Sequence, residues 1–140
     1  MKDNNSKEQV LTIAIKCGGV TEIALGANTL LDKAHIISLF TRRAKDTRKT
    51  KNKKSIVNDT VFDSAFLTMQ TIDSKVVVGD LPLEAIELEN TLKSQKLGYE
   101  INMCNIDLSN SKISIQTDEN NIVPDEHFEL TFKYIPYGKY

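Results

Sequence analysis

The sequence predicts an all-β protein, a two-layer antiparallel β-sandwich or barrel with at most one or two short helices. Apolar residues alternate with polar ones in about eight short runs, as they do in strands that bury one face. Turn-forming residues separate the runs, and no helical pattern regularly intervenes, which disfavours a doubly wound α/β fold. A chain of 140 residues is long enough for one domain that buries about two-thirds of its unfolded surface. The order in which the strands pair does not follow from the pattern.

Three strands are predicted before residue 42. In residues 10–16, Leu11, Ile13 and Ile15 share one face, and the Cys17-Gly18-Gly19 stretch that follows permits a turn. A short second run covers residues 20–25. Residues 30–44 also fit a helical stripe, but the β-rich core at 36–40 favours a strand over 34–41.

The stretch from residue 64 to 83 predicts a tight β-hairpin. Apolar-rich runs at 65–72 and 75–78 flank the polar break Asp73-Ser74. Pro82 has no N–H for a sheet ladder, so the hairpin is expected to end there. The side chains expected to face the interior are those of Leu67, Met69, Val76 and Val78.

The second half of the chain continues in strands. Residues 84–96 have apolar side chains at helical spacing and are expected to hold one short helix. In residues 99–108 the apolar phase changes once, which a bulge near Met103 or Cys104 would explain. Ile113 and Ile115 mark the inner face of a short strand. Residues 127–134 alternate most regularly, with the inward positions Phe128, Leu130, Phe132 and Tyr134.

Residues 1–8 are expected to form a flexible polar arm, and residues 9–140 a single domain with a basic loop at 42–54. This loop has a local charge of +7, although the whole chain has a net charge of −1. It is either a solvated loop tip or a segment that contacts the phosphates of nucleic acid or of anionic lipid. No aromatic residue lies within it, so base stacking is not indicated. The possible polyanion contacts are Arg42, Arg43, Lys45, Arg48, Lys49, Lys51, Lys53 and Lys54.

No motif predicts catalysis, a cofactor or a metal site, and we expect the protein not to be an enzyme. Gly18-Gly19 lacks the spacing of a phosphate-binding loop, and His35 and His127 have no recognisable nucleophile or acid partner. Cys17 and Cys104 have no metal-type spacing and are expected to be reduced and partly buried. We also expect no membrane span and no signal peptide.

Two clusters of acidic residues are expected to be exposed to solvent. The first would form the solvent-exposed face of the short helix at 84–96, and the second would lie in a polar turn that lacks the spacing of a calcium loop. The groups are Glu84, Glu87 and Glu89, and Asp118, Glu119, Asp125 and Glu126.

Four segments together resemble the small single jelly-roll capsid proteins of tailless icosahedral bacteriophages, membrane-containing or related. The segments are Ala65-Phe66-Leu67-Thr68-Met69, Asp80-Leu81-Pro82-Leu83, residues 105–115 and the closing strand at 128–134. The resemblance covers roughly residues 11–136. The cationic loop is no part of that family pattern.

The resemblance implies a structural coat subunit, and the length favours a vertex (penton) or minor coat protein. Its partners would be further copies of itself, as a pentamer or other ring, and other capsid proteins. The basic loop would be placed to contact the genome or anionic lipid. Localisation would be the virion, after synthesis in the host cytoplasm. The alternative function is a carbohydrate- or receptor-binding β-sandwich module, because fold does not decide function.

Overall fold

The computed structural model describes residues 7–43, 56–87 and 98–136. Two antiparallel sheets of four strands each pack face to face, which confirms the predicted all-β sandwich. The strands are β1 Gln9–Lys16, β2 Glu22–Ala24, β3 His35–Thr41, β4 Ala65–Gln70, β5 Val76–Pro82, β6 Tyr99–Met103, β7 Lys112–Ile115 and β8 His127–Ile135. A single α-helix, α1 Asp59–Asp63, and the 3₁₀ turns Leu83–Ile86, Leu108–Asn110 and Glu119–Asn121 complete the described elements.

The strand pairing is nested. One sheet has the order β1-β8-β3-β6 and the other β2-β7-β4-β5. Strand β1 therefore pairs with β8, β2 with β7, β3 with β6 and β4 with β5. Of the seven connections between these strands, six cross from one sheet to the other, and β4–β5 stays within one sheet.

This topology collects the connections at two ends of the sandwich. At one end, which we call the α1 end, Gly18 donates its N–H to the carbonyl of Pro124, and Asn58 donates to Glu126. At the opposite end, the hairpin end, the N–H of Ile72 bonds to the carbonyl of Asn105. The described parts of the connections β1–β2, β3–β4, β5–β6 and β7–β8 lie at the α1 end.

The core lies between the sheets. Along β8 the predicted inward residues Phe128, Leu130, Phe132 and Tyr134 are all buried. The fully buried Leu67 and Met69 of β4 contribute from the opposite sheet. The strands predicted at 10–16, 34–41 and 113–115 are present within about one residue of their expected bounds.

Val76 was expected in the interior but is 57% exposed. The register of β4 and β5 shifts between the pairs Met69–Val78 and Gln70–Val76, so β5 has one extra residue there. The bulge places Val76 opposite the outward-facing Gln70 instead of in phase with the buried Val78. Pro82 ends β5, as predicted.

Two further segments differ from the expectation. The strand predicted over 99–108 ends at Met103, although the pairing of β6 with β3 does contain a register shift. Asn105 has φ +61°, and Ile106 then bridges to Thr71, the residue that directly follows β4 of the opposite sheet. The change of apolar phase therefore marks a crossing between sheets. The helix expected at 84–96 appears as the 3₁₀ turn Leu83–Ile86, and residues 88–97 lie outside the described residues.

Candidate functional site

The predicted polyanion contacts fall partly within the described residues. Arg42 and Arg43 directly follow β3 at the α1 end. The other six cations, Lys45, Arg48, Lys49, Lys51, Lys53 and Lys54, lie outside the described residues. The described part of the site is therefore the base from which the basic run leaves β3, together with the segment at which the chain returns.

Three carboxylates surround the guanidinium of Arg43. Its Nη2 donates to Asp63 Oδ1 at 2.7 Å, its Nη1 to Asp59 Oδ1 at 3.1 Å and its Nε to Glu87 Oε2 at 3.2 Å. A second contact joins Nη2 to Glu87 Oε1 at 3.4 Å, so that the fork of donors meets both oxygens of this carboxylate. The planar group also lies 4.5 Å from the ring centroid of Phe62, within the range of a cation–π interaction.

Helix α1 presents two of these acids. The side chain of Asn58 caps the helix by accepting a hydrogen bond from the N–H of Val61. Asp59 and Asp63 are four residues apart and therefore share a face of the helix, while Val61 and Phe62 are buried. This helix is not predictable from the sequence pattern, because five residues are too few to show a hydrophobic period.

The third acid belongs to the β5–β6 connection. The Thr41 hydroxyl donates to the carbonyl of Leu83 at 2.9 Å, and Thr41 forms a parallel bridge with Glu87. These contacts hold the 3₁₀ turn against the end of β3, where Arg43 leaves the sheet. Glu87 is 8% exposed. The expectation that it lies on a solvated helical face was wrong for this residue, because Arg43 compensates its buried charge.

The chain is also anchored where it returns after the basic run. Ile56 bridges to His127 of β8, and the N–H of Val57 donates to the carbonyl of His127 at 3.0 Å. Asn58 donates its N–H and its side-chain amide to Glu126 Oε1. Residues on both sides of the basic run are therefore fixed to the sandwich.

The electrostatic environment of Arg43 differs from that of Arg42. Partial burial of its guanidinium lowers its pKa, but the hydrogen bonds that it donates to Asp63, Glu87 and Asp59 outweigh this and raise the pKa above its ordinary value. Arg43 therefore remains charged, and its charge is neutralised within the fold. Arg42 is exposed and forms no ion pair with another described residue. Without Arg43, seven cations of the run remain against Asp46.

The cysteines occupy opposite ends of the sandwich and are both free. Cys17 is 1% exposed, and its burial, followed by the nearby charge of Glu126, raises the pKa of its thiol to about 11. Cys104 was expected to be partly buried but is exposed, and its Sγ lies 3.5 Å from His35 Nδ1. In His127, Nδ1 is buried without a hydrogen-bond partner among the described residues.

Three of the four acidic residues in the segment before β8 form hydrogen bonds or an ion pair with other residues of the chain. Asp118 accepts a hydrogen bond from the N–H of Asn120, Glu126 accepts from Asn58, and Asp125 lies 3.8 Å from Lys16. Within residues 7–43, 56–87 and 98–136, no group of three or more His, Cys, Asp or Glu side chains is arranged to hold a metal ion.

A shallow surface depression of about 300 Å³ lies between β2, β7 and the 3₁₀ turn at Leu108–Asn110. Lys112 and Glu22 line it and pair with each other at 3.1 Å. No helix in the described part of the chain is long and apolar enough to cross a membrane. Comparison of the sequence and the structure with family models, curated proteins and solved structures finds no match.

Proposed function

We propose that this chain is a structural subunit of an icosahedral viral capsid, a vertex (penton) or minor coat protein that packs side to side by symmetry. The observation that carries the proposal is the strand order β1-β8-β3-β6 facing β2-β7-β4-β5. Eight antiparallel strands in this order are what a long hairpin gives when it is rolled into two sheets. This supports a single jelly roll, an architecture that viral coat proteins share with other proteins.

The loops at the α1 end support a role in contacts with neighbours. The β3–β4 connection is held where it leaves β3 by the contacts of Arg43 with Glu87 and Asp63. It is held where it approaches α1 by the hydrogen bond that Asn58 donates to Glu126. Rigid attachment points of this kind define where a connecting segment leaves the body of a subunit. We propose that the seven cations of the basic run other than Arg43 contact phosphate groups of the genome or of anionic lipid.

Assembly of the purified chain tests the proposed function. Native mass spectrometry and electron microscopy, at low and moderate salt, are expected to show a closed ring or, with a second coat protein, a shell. A chain that stays monomeric under all these conditions and binds glycans on an array would contradict the coat role. That result would favour the carbohydrate- or receptor-binding module instead.

A further inference from the structure

The two sheets have four edge strands, and three of them have features that hinder the addition of another strand. Strand β2 is only three residues long. Strand β5 contains two register shifts and ends at Pro82. Strand β6 contains a register shift, and its Asn102 has φ +49°. Short length, bulges and proline are the usual ways in which proteins protect an edge from pairing with another chain.

Strand β1 lacks this protection. It pairs with β8 over eight consecutive residues, from Gln9 to Lys16, without a register shift. No charged residue or proline occurs from Gln9 to Ile15. Among the described residues, no strand pairs with the other side of β1. A long, regular and uncharged edge leaves a row of backbone donors and acceptors open to a partner strand.

We propose that the β1 edge is an interaction surface for a second copy of this chain, whose β1 adds antiparallel across a twofold axis. An isologous contact of this kind requires a strand that is complementary to itself when reversed. The two sheets β1-β8-β3-β6 would then join into one continuous eight-stranded sheet.

The alternation of side chains restricts the register. Leu11, Ile13 and Ile15 face inward, and Val10, Thr12 and Ala14 face outward. In an antiparallel pair, residues directly opposite each other lie on the same face of the sheet, so an inward residue must face an inward one. Two facing residues of β1 are therefore an even number of positions apart, and the twofold axis lies at the residue midway between them. With the axis at Thr12, Leu11 lies opposite Ile13 of the second copy, and Val10 lies opposite Ala14.

The charged residues at the ends of β1 favour the axis at Thr12 over an axis one residue away on either side. With the axis at Thr12, Glu8 of each copy lies opposite Lys16 of the other, so that two pairs of opposite charge flank the contact. Moving the axis by one residue places Lys16 opposite Val10 in one direction and Glu8 opposite Ala14 in the other. Within one chain, Glu8 Oε1 lies 3.1 Å from Lys133 Nζ, and Lys16 Nζ lies 3.8 Å from Asp125 Oδ1. The side chains of Glu8 and Lys16 are each at least half exposed. Both can therefore contact a second copy.

This contact does not depend on the coat role. Taken together with that role, it places the chain at a twofold position of a shell and favours a minor coat protein over a vertex protein. If rings form and the β1 variants below assemble like the wild type, the edge inference fails and the coat proposal stands. If β1 dimers form but no shell or ring does, the reverse holds.

Charge reversal tests the register. Glu8→Lys and Lys16→Glu each replace both opposite-charge pairs with like-charge pairs. We expect each variant to weaken self-association about tenfold in sedimentation velocity. An equimolar mixture of the two variants is expected to recover dimers, and so is the double variant. Lys33→Glu, which alters an exposed lysine of the β2–β3 connection, is the control and should leave association unchanged.

Recovery of dimers in the double variant distinguishes a contact between two copies from the ion pairs within one chain. In the double variant Glu8→Lys would face Lys133 and Lys16→Glu would face Asp125 in the same chain, so an intramolecular role predicts a further loss and no recovery. Recovery in both the mixture and the double variant would therefore support the contact between copies.

Cross-linking tests the axis itself. In a Cys104→Ser background, Thr12→Cys would place two thiols directly opposite each other, at a Cα separation of about 4.5–5.5 Å that a disulfide can span. Ala14→Cys is the matched control, because its two copies would be roughly 13 Å apart. We expect oxidised glutathione to link Thr12→Cys into covalent dimers and not Ala14→Cys. Equal linking of both, no recovery on mixing, or a wild-type chain that is monomeric up to about 1 mM would overturn the proposal.

Discussion

Replacing Arg43 by methionine should destabilise the fold far more than replacing the adjacent Arg42. Arg43→Met leaves the carboxylate of Glu87, whose side chain is 11% exposed, without its partner. Removing one partner of a buried ion pair costs about 3–5 kcal/mol. Because the Arg43 side chain is still 22% exposed, we expect the lower end, about 3 kcal/mol. Arg42 is exposed, so Arg42→Met should cost less than about 0.5 kcal/mol.

The three carboxylates should contribute in the order of their burial. The Asp59 side chain is 73% exposed and that of Asp63 is 50% exposed. Water and salt screen such pairs, so we expect Asp59→Asn to cost less than about 0.5 kcal/mol. Glu87→Gln keeps the shape but removes a buried charge-assisted contact and should cost about 1–2 kcal/mol.

Urea unfolding measures these differences. A loss of about 3 kcal/mol should lower the midpoint by roughly 1–2 M at an unchanged slope. In the double variant Arg43→Met with Glu87→Gln, the cost should be clearly smaller than the sum of the two single costs, because no buried charge is left unpaired and the carboxylates of Asp59 and Asp63 are exposed to water. Equal midpoints for Arg42→Met and Arg43→Met, or an Asp59→Asn cost as large as that of Glu87→Gln, would refute the reasoning.

Three further predictions concern charge, pH and backbone. Changing the seven cations of the basic run other than Arg43 to Gln should leave the unfolding midpoint unchanged and abolish binding to DNA and anionic vesicles; retained binding would contradict phosphate contact. The pKa of Cys17 is raised from 9.0 to about 11, so the free energy of unfolding of the wild type should fall by roughly 2 kcal/mol relative to that of Cys17→Ala as the pH rises from 9 to 11. Parallel stability curves would exclude this. Gly98 has φ +92°, and an added Cβ would lie 2.8 Å from the Leu39 carbonyl oxygen, so Gly98→Ala should cost at least about 2 kcal/mol. Gly79→Ala is the control, since the added Cβ would meet Val76 at an ordinary 3.6 Å. Similar costs for the two variants would contradict the argument.

The strands were predictable where one rule governs every residue. In β8, alternation alone identified Phe128 and Phe132 as core residues, because one face of the strand is fully buried, whereas the other face is half-buried except at the buried Thr131. In β5, the same rule failed at Val76, where a bulge reverses the phase. A bulge depends on the partner strand, which the local sequence does not specify.

The candidate site was less predictable than the fold. The run of basic residues is evident in the sequence, but nothing local distinguishes Arg43 from Arg42. Arg43 meets carboxylates that are 16, 20 and 44 positions away, brought together by the ends of β3, α1 and the β5–β6 connection. Such spacings leave no periodic signal. Arg42 and Arg43 therefore differ only in the contacts that the folded α1 end provides.

The nested pairing also affects how the chain reaches its fold. Strands β4 and β5 pair through residues as close as Gln70 and Val76, whereas β1 and β8 join Gln9 and Tyr134, which are 125 positions apart. Loop-closure entropy rises with separation, so each inner pair that forms makes the next one cheaper to close. Folding is therefore expected to proceed outward from the hairpin and to be slow, as it is for chains of high contact order. During synthesis on the ribosome, β1 must wait for β8, and until then both of its edges are open.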